Sequence, residues 1–329
     1  GKGMSGMPFP EGEDYMENQK KVADIIQSIE QIIVGKRDVI ELSLITLLAG
    51  GHLLLEDVPG VGKTTLAKTL ANAINCGFTR IQFTPDTLPS DVTGLSIYNM
   101  QTGKFEFSKG AIMNNIILAD EINRTSPKTQ ASLLEAMEEK QVTVDGVSYP
   151  LPKPFMVIAT QNPVDYLGTY NLPEAQLDRF MMKISIGYPQ VGEEKMMADR
   201  FLKGLLRPKS NPVVDAETIL KMQEEVESVK VNQDLISYVT KIIHETRKDS
   251  NISLGASPRA TLALIRASQA HAYVKGRNYV IPDDIINLVQ PVLSHRIILA
   301  PEARISQTKT SKILKTIISR IPVPVLKNE

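Results

Sequence analysis

The sequence predicts an α/β fold, a parallel five-stranded sheet flanked by helices, followed by an all-helical second domain. Three observations lead there. From about residue 17 to 188 short apolar runs alternate with helical stretches, the pattern of a sheet covered by helices. A glycine-rich segment, DVPGVGKTT (Asp57 to Thr65), joins the first run to a helix-forming stretch. After YPQVGEE (Tyr188 to Glu194) the strand signals stop. The 329 residues also suit two domains at roughly 150 residues each.

In chain order, residues 1–16 open on GKGMSGMPFPEGEDY, rich in glycine, proline and methionine and without a continuous apolar run, and are expected to be a disordered tail. Residues 17–190 carry the sheet, with strands at His52 to Glu56, Thr79 to Phe83, Asn115 to Asp120, Phe155 to Thr160 and Met182 to Tyr188. Between the third and fourth, Ser126 and Pro127 form a helix start, and Leu133, Leu134 and Met137 recur on one face of the helix that follows. Two hairpins interrupt the alternation: Leu95 to Ser108, with period-two segments about Gly103, and Val142 to Leu151, turning at Asp145-Gly146. Residues 191–329 form the helical domain. Its helices start at Asp215, at Asn232, at Ser257 with Pro258, and at Pro282 with Asp283 and Asp284, and RIPVPVLKNE leaves the last one extended.

Composition narrows the function classes. Thirty-seven lysines and arginines balance thirty-seven aspartates and glutamates, so no whole-molecule field attracts nucleic acid or an anionic membrane. No run of 18 apolar residues exists, which excludes an ordinary membrane helix, and the composition is that of a cytoplasmic protein. The single cysteine, Cys76, permits no internal disulfide and reads as a buried apolar side chain. His52, His244, His271 and His295 show no close ligand spacing, so packing or surface roles are expected of them.

The chemistry concentrates in three stretches. The usual phosphate loop reads G-x-x-x-x-G-K-[ST]; here Gly62, Lys63 and Thr64 supply its end, while Asp57 stands where its first glycine belongs. The tripeptide alone is weak, since chance supplies it in on the order of one chain in ten of this size. Its setting is stronger, because LLLE before it and TLAKTLANAI after it make strand, loop and helix. The candidate nucleotide cradle is therefore Pro59, Gly60, Val61, Gly62, Lys63, Thr64 and Thr65: glycines allow close backbone approach, amides and the helix N-terminus face an anion, Lys63 reaches β and γ oxygens, and Thr64 ligates magnesium. NIILADE lifts Asp120, a candidate magnesium ligand, and Glu121, a candidate base toward water, to the carboxyl end of a strand. In VIATQNP, Asn162 follows the next strand, within reach of the same water.

These motifs, in this order, resemble the AAA+ ATPases, and GHLLLEDVPGVGKTTLAKTLA, ILADEINR, IATQNP, LPEAQLDRF and GASPRA resemble the MoxR branch of them, over about residues 30 to 265. In that resemblance Asp57 is usual, and Asp tolerates turn conformations nearly as well as Asn. The resemblance implies that Arg179 is an arginine finger, that Arg259 is the lid arginine reporting the γ-phosphate, that Ile33, Val34 and Gly35 in IIVGK contact adenine, and that both hairpins face a central pore. It implies ATP and Mg2+ as cofactors, a homo-oligomeric ring, commonly a hexamer, and a partner carrying a von Willebrand factor A domain in maturation or metal insertion. Specific nucleic-acid binding and membrane insertion are not expected.

The leading expectation is thus a ring-forming remodelling ATPase. Two readings stand against it: a scaffold that binds ATP and scarcely hydrolyses it, and, less favoured by the balanced charge, a helicase-type DNA motor. A GTPase is disfavoured by the lack of an N-K-x-D tetrapeptide.

Overall fold

The computed structural model describes residues 13–57, 60–161, 168–205 and 212–325. Helix α1 (Glu13–Glu30) opens it, so residues 13–16, expected in the tail, are helical. Next come α2 (Arg37–Leu48), β1 (Leu53–Glu56), α3 (Lys63–Ala73), β2 (Phe78–Gln82) and α4 (Pro89–Thr93). The first hairpin is β3 (Gly94–Asn99) and β4 (Lys104–Lys109), followed by β5 (Ile116–Asp120) and α5 (Pro127–Glu139). The second is β6 (Gln141–Val144) and β7 (Val147–Pro150), followed by β8 (Met156–Gln161), α6 (Glu174–Leu177) and β9 (Met182–Ile184).

The five strands expected from the apolar runs form one parallel sheet in the order β2-β5-β8-β1-β9. Continuous apolar runs give such strands because both faces are covered, and alternation assigns the faces. Leu53, Leu55, Ile116, Leu118, Ile158 and Met182 join a core with α1, α2, α3 and the lid helices. Leu54, Ile117, Ala119, Val157 and Ala159 join Leu133, Leu134 and Met137 of α5 on the other side. Ser126 caps α5 by accepting from the Thr129 N–H, with Pro127 first in the helix.

The fifth strand is shorter than expected. It ends at Ile184, because the amides of Ile186 and Gly187 donate to the carboxylate of Asp57 and so leave the ladder, and Gly187 turns the chain at φ 67°.

The second domain comprises α7 (Val191–Leu202), α8 (Ala216–Ser228), α9 (Gln233–Lys248), β10 (Ile252–Leu254), α10 (Pro258–Val274), α11 (Pro282–Leu293), β11 (Ile298–Leu299), α12 (Pro301–Ile305) and α13 (Thr310–Arg320). Among the described residues it is helical apart from the antiparallel ribbon β10–β11, too short to register in apolar alternation. Asp215 and Asn232 cap α8 and α9 as expected. Ser257 stands at the cap of α10 but gives its hydroxyl to Asp178 instead. Buried Asn18 of α1 and Tyr273 of α10 both donate to Glu225 of α8, tying the N-terminal helix to the lid. Cys76 is half-buried against the core, and burial pushes its thiol up to about 11.

His52 is buried immediately before β1: its Nδ1 accepts from the Val157 N–H at 3.0 Å and its Nε2 donates to the Met137 carbonyl at 3.3 Å. This requires a neutral ring, and burial, with a lesser contribution from Lys140, lowers its pKa to about 4. The unfolded chain therefore binds a proton that the folded chain refuses between pH 6.5 and 4. The His52 contribution is full above pH 6.5 and should fall by about 3 kcal/mol as pH drops through that window. Denaturant unfolding at stepped pH should show this slope and its reduction in His52→Gln; equal slopes in the two proteins would refute it.

Candidate nucleotide site

The segment after β1 turns through Gly60 at φ 85° and Gly62 at φ 94°, and a Cβ at either position would meet open space. Glycine is needed for the left-handed backbone, and the bare side leaves room for an anion. Gly62 is the N-cap of α3, so Lys63, Thr64 and Thr65 form the first turn, with unpaired amides at the mouth of the loop. Lys63 Nζ lies 2.9 Å from the Asp57 carbonyl oxygen, folded back over its own loop. Pro59 falls outside the described residues, as does Asn162.

Asp57, the departure from the usual loop, does more than tolerate a turn. It is 6% exposed, and its carboxylate accepts from the Ser185 hydroxyl at 3.0 Å and from the main-chain N–H groups of Ile186 and Gly187. The first residue of the loop is therefore fastened to the strap that leads from β9 into the lid. On the other side of this strap, Lys36 Nζ donates to the Tyr188 carbonyl at 3.0 Å. Lys36 follows Ile33, Val34 and Gly35, the segment expected to meet the base. Ile33 packs on the core, and Gly35, at φ 71°, is covered by the Glu193 side chain, which a Cβ would strike at 2.3 Å. A cavity of about 1090 Å³ opens here between Gly35, Glu56, Ser185, Tyr188 and the lid residues Gln290 and Ser294.

Asp120 and Glu121 stand at the carboxyl end of β5. Ala119 pairs with Ala159 and Ala159 with Leu54, so Asp120 is level with the end of β1, two strand spacings or about 10 Å across the sheet. Asp120 is 9% exposed; one oxygen accepts from Thr160 Oγ1 at 2.7 Å and the other from Arg80 at 2.6 Å. Glu121 takes a left-handed backbone, φ 57° and ψ 50°, with its N–H on Thr160 Oγ1 at 2.8 Å. Its carboxylate accepts from Gln82 Nε2 and Arg124 Nη1, each at 3.0 Å. Both acids thus sit among donors, as acceptors for a cation or for a proton from water. One carboxylate and one hydroxyl, Asp120 and Thr64, fit magnesium, which keeps waters and takes its remaining ligands from phosphate. Among the described residues no group of three or more His, Cys, Asp or Glu forms a protein-only metal cage.

The two arginines stand elsewhere. Arg179 Nε lies 3.0 Å from one oxygen of Glu138 in α5, and Arg259 Nη2 lies 2.5 Å from the other. They line a cavity of about 520 Å³ with Gly51 and His52, which precede β1, whereas Lys63 follows it. Four residues of strand, about 13 Å, separate the two ends. Arg259, expected at the nucleotide from the lid, is brought to Arg179 and not to Lys63 of its own chain.

Sequence reasoning missed Arg80, Gln82, Thr160, Glu138 and Arg296. Arg80 and Gln82 carried a signal, two polar residues with strand alternation in TRIQF, and Arg296 carried another, a charge inside the apolar run VLSHRIILA. Glu138 carried none, since solvated glutamates on helices are common.

A glycine loop between strand and helix, an acidic pair on a neighbouring strand, a five-stranded parallel sheet and a helical lid define an AAA-type nucleotide-binding protein. Residues 52–182 match the family model described as ATPase family associated with various cellular activities, and residues 244–317 match the AAA lid domain. The chain is 51% identical to an uncharacterized Bacillus subtilis protein, YeaC, over 91% of this chain and 94% of that one. It is 39% identical to a Mycobacterium tuberculosis protein named Chaperone MoxR1, over 91% of this chain and 81% of that one. A crystal structure from Cytophaga hutchinsonii superposes with TM-score 0.89 at 40% identity, covering 95% of this chain and 98% of that one. The chain belongs to the MoxR family of AAA+ ATPases.

Proposed function

We propose that this chain binds and hydrolyses Mg-ATP in a homo-oligomeric ring, a hexamer by the habit of the family, in which each site is completed by arginines of the adjacent subunit. The observation that carries this reading is the separation of the two halves. Lys63, Thr64, Asp120 and Glu121 lie at the carboxyl edge of the sheet, and Arg179 and Arg259 share Glu138 at the opposite end. Arginines so placed can neutralise transition-state charge only on another subunit's nucleotide.

In this reading the amides of residues 60–64 and Lys63 hold the phosphates, and Ile33, Val34 and Gly35 border the base. Thr64 and Asp120 would hold Mg2+, which would supply positive charge against the phosphates. Glu121 accepts the proton of the attacking water, and Asn162 orients that water. Arg80 must release Asp120, and Gln82 and Arg124 must release or share Glu121, as nucleotide enters. Turnover moves the lid and the hairpins, whose exposed Ile97, Tyr98, Met100 and Phe105 offer an apolar grip on a protein client. The work is chaperone-like assistance in maturation or metal insertion, with a von Willebrand factor A domain protein as partner. No described helix is long and apolar enough to cross a membrane.

Complementation tests the reading. Lys63→Ala should bind no ATP, and Arg179→Ala should bind ATP with turnover down roughly a thousandfold. Mixed, the two should regain phosphate release, because the first donates arginines to the second's intact nucleotide site. A mixture no more active than its parts would overturn catalysis between subunits.

A further inference from the structure

Resting on that reading, we infer that Arg296 is a positioning residue that sets the two trans-acting arginines, Arg179 of the core and Arg259 of the lid, as one rigid unit. Arg296 follows α11 and is only 6% exposed, unusual for a residue type that is almost never buried unless paired. Each of its three nitrogens donates to the segment that carries Arg179. Nε reaches Asp178 Oδ1 at 2.7 Å, Nη2 the Asp178 carbonyl at 3.0 Å and Nη1 the Met181 carbonyl at 2.9 Å, while Nη1 also returns to the Val292 carbonyl of α11 at 2.5 Å. One guanidinium thus grips the turn on both sides of Arg179 and anchors it to the lid.

The second oxygen of Asp178 completes the clamp. It accepts from the Ser257 hydroxyl at 2.8 Å, and Ser257 stands two residues before Arg259. Next to Arg296, His295 Nε2 donates to the Phe180 carbonyl at 2.8 Å, so the residue after Arg179 is held from the lid as well. Asp178 therefore joins the turn bearing one arginine to the helix start bearing the other. Both arginines then meet on Glu138, from which a neighbour's nucleotide would draw them. A planar fork with five fixed donors holds three carbonyls and a carboxylate in one geometry; a lysine ammonium cannot.

The complementing pair above separates a positioning role from a merely structural one. Arg296→Lys is introduced first into the Lys63→Ala subunit, which serves only as arginine donor, and then, separately, into the Arg179→Ala subunit, which serves only as nucleotide acceptor. In the donor it should lower recovered phosphate release at least tenfold, and in the acceptor less than twofold, with the acceptor's ATP affinity unchanged by calorimetry. Equal losses in the two positions would make Arg296 structural, and no loss in the donor would remove it from the mechanism. Should Arg296→Lys fail to fold, Asp178→Asn, which keeps one acceptor and loses the charge, carries the same comparison. If the unmodified pair itself shows no recovery, the trans reading falls and Arg296 with it, an outcome distinct from a pair that recovers and ignores the substitution.

Discussion

Glu121→Gln should keep MgATP affinity and lower turnover by roughly a hundredfold or more. Glutamine has the shape of glutamate and can still meet Gln82 and Arg124, so the left-handed turn at residue 121, held by its N–H on Thr160, should survive. What it loses is the capacity to take a proton from water. In the proposed mechanism the phosphate contacts stay with Lys63 and the loop amides, and Asp120, held by Thr160, keeps its place as the proposed metal ligand. Isothermal titration should return the parent dissociation constant, and a phosphate-release assay the loss. Parent-like turnover would remove Glu121 from the mechanism. The same variant, held in ATP, is the natural bait for capturing a client.

Much of this was legible before any fold existed, because it is written in local pattern. Four apolar residues before a glycine loop define β1; IILAD, buried throughout, defines β5 and lifts Asp120 to its end; Ser126-Pro127 starts α5. Periodicity and capping report such features because they depend on neighbours within a few residues. Contacts between residues far apart in the chain were not legible. Nothing within five residues of Asp57 tells that it meets Ser185, Ile186 and Gly187, 128 to 130 positions on, and the two amide contacts end β9 early. The whereabouts of Arg259 depends on how the lid docks, through α10 and α11 against α2 and β9, and on Ser257 giving up its capping role for Asp178. The resemblance supplied roles for both arginines, but where they lie relative to the phosphate loop is a property of how the lid docks.

Asp57→Gly should be harmful although it restores the general phosphate-loop pattern. Judged by spacing alone, the change completes G-x-x-x-x-G-K-[ST] and ought to be neutral or helpful. The contacts predict the reverse. Asp57 is 6% exposed and its carboxylate accepts from one hydroxyl and two amides, one of them on Ile186, itself 6% exposed, so glycine leaves that buried amide without its acceptor and removes the carboxylate from Ser185 and Gly187. The loss should be about 3 kcal/mol of unfolding free energy. A second effect falls on function. Lys63 rests on the carbonyl of this same residue, so an added glycine at the root of the loop frees a segment whose amides must be preset for phosphate. ATP affinity should weaken roughly tenfold, about 1.4 kcal/mol. Asp57→Asn, which keeps an acceptor and loses the charge, should fall between the two. Urea unfolding and calorimetry on the three proteins decide the matter. If Asp57→Gly matches the parent in both stability and affinity, the tie between phosphate loop and lid strap has no consequence, and the aspartate is only one of several residues the turn would accept.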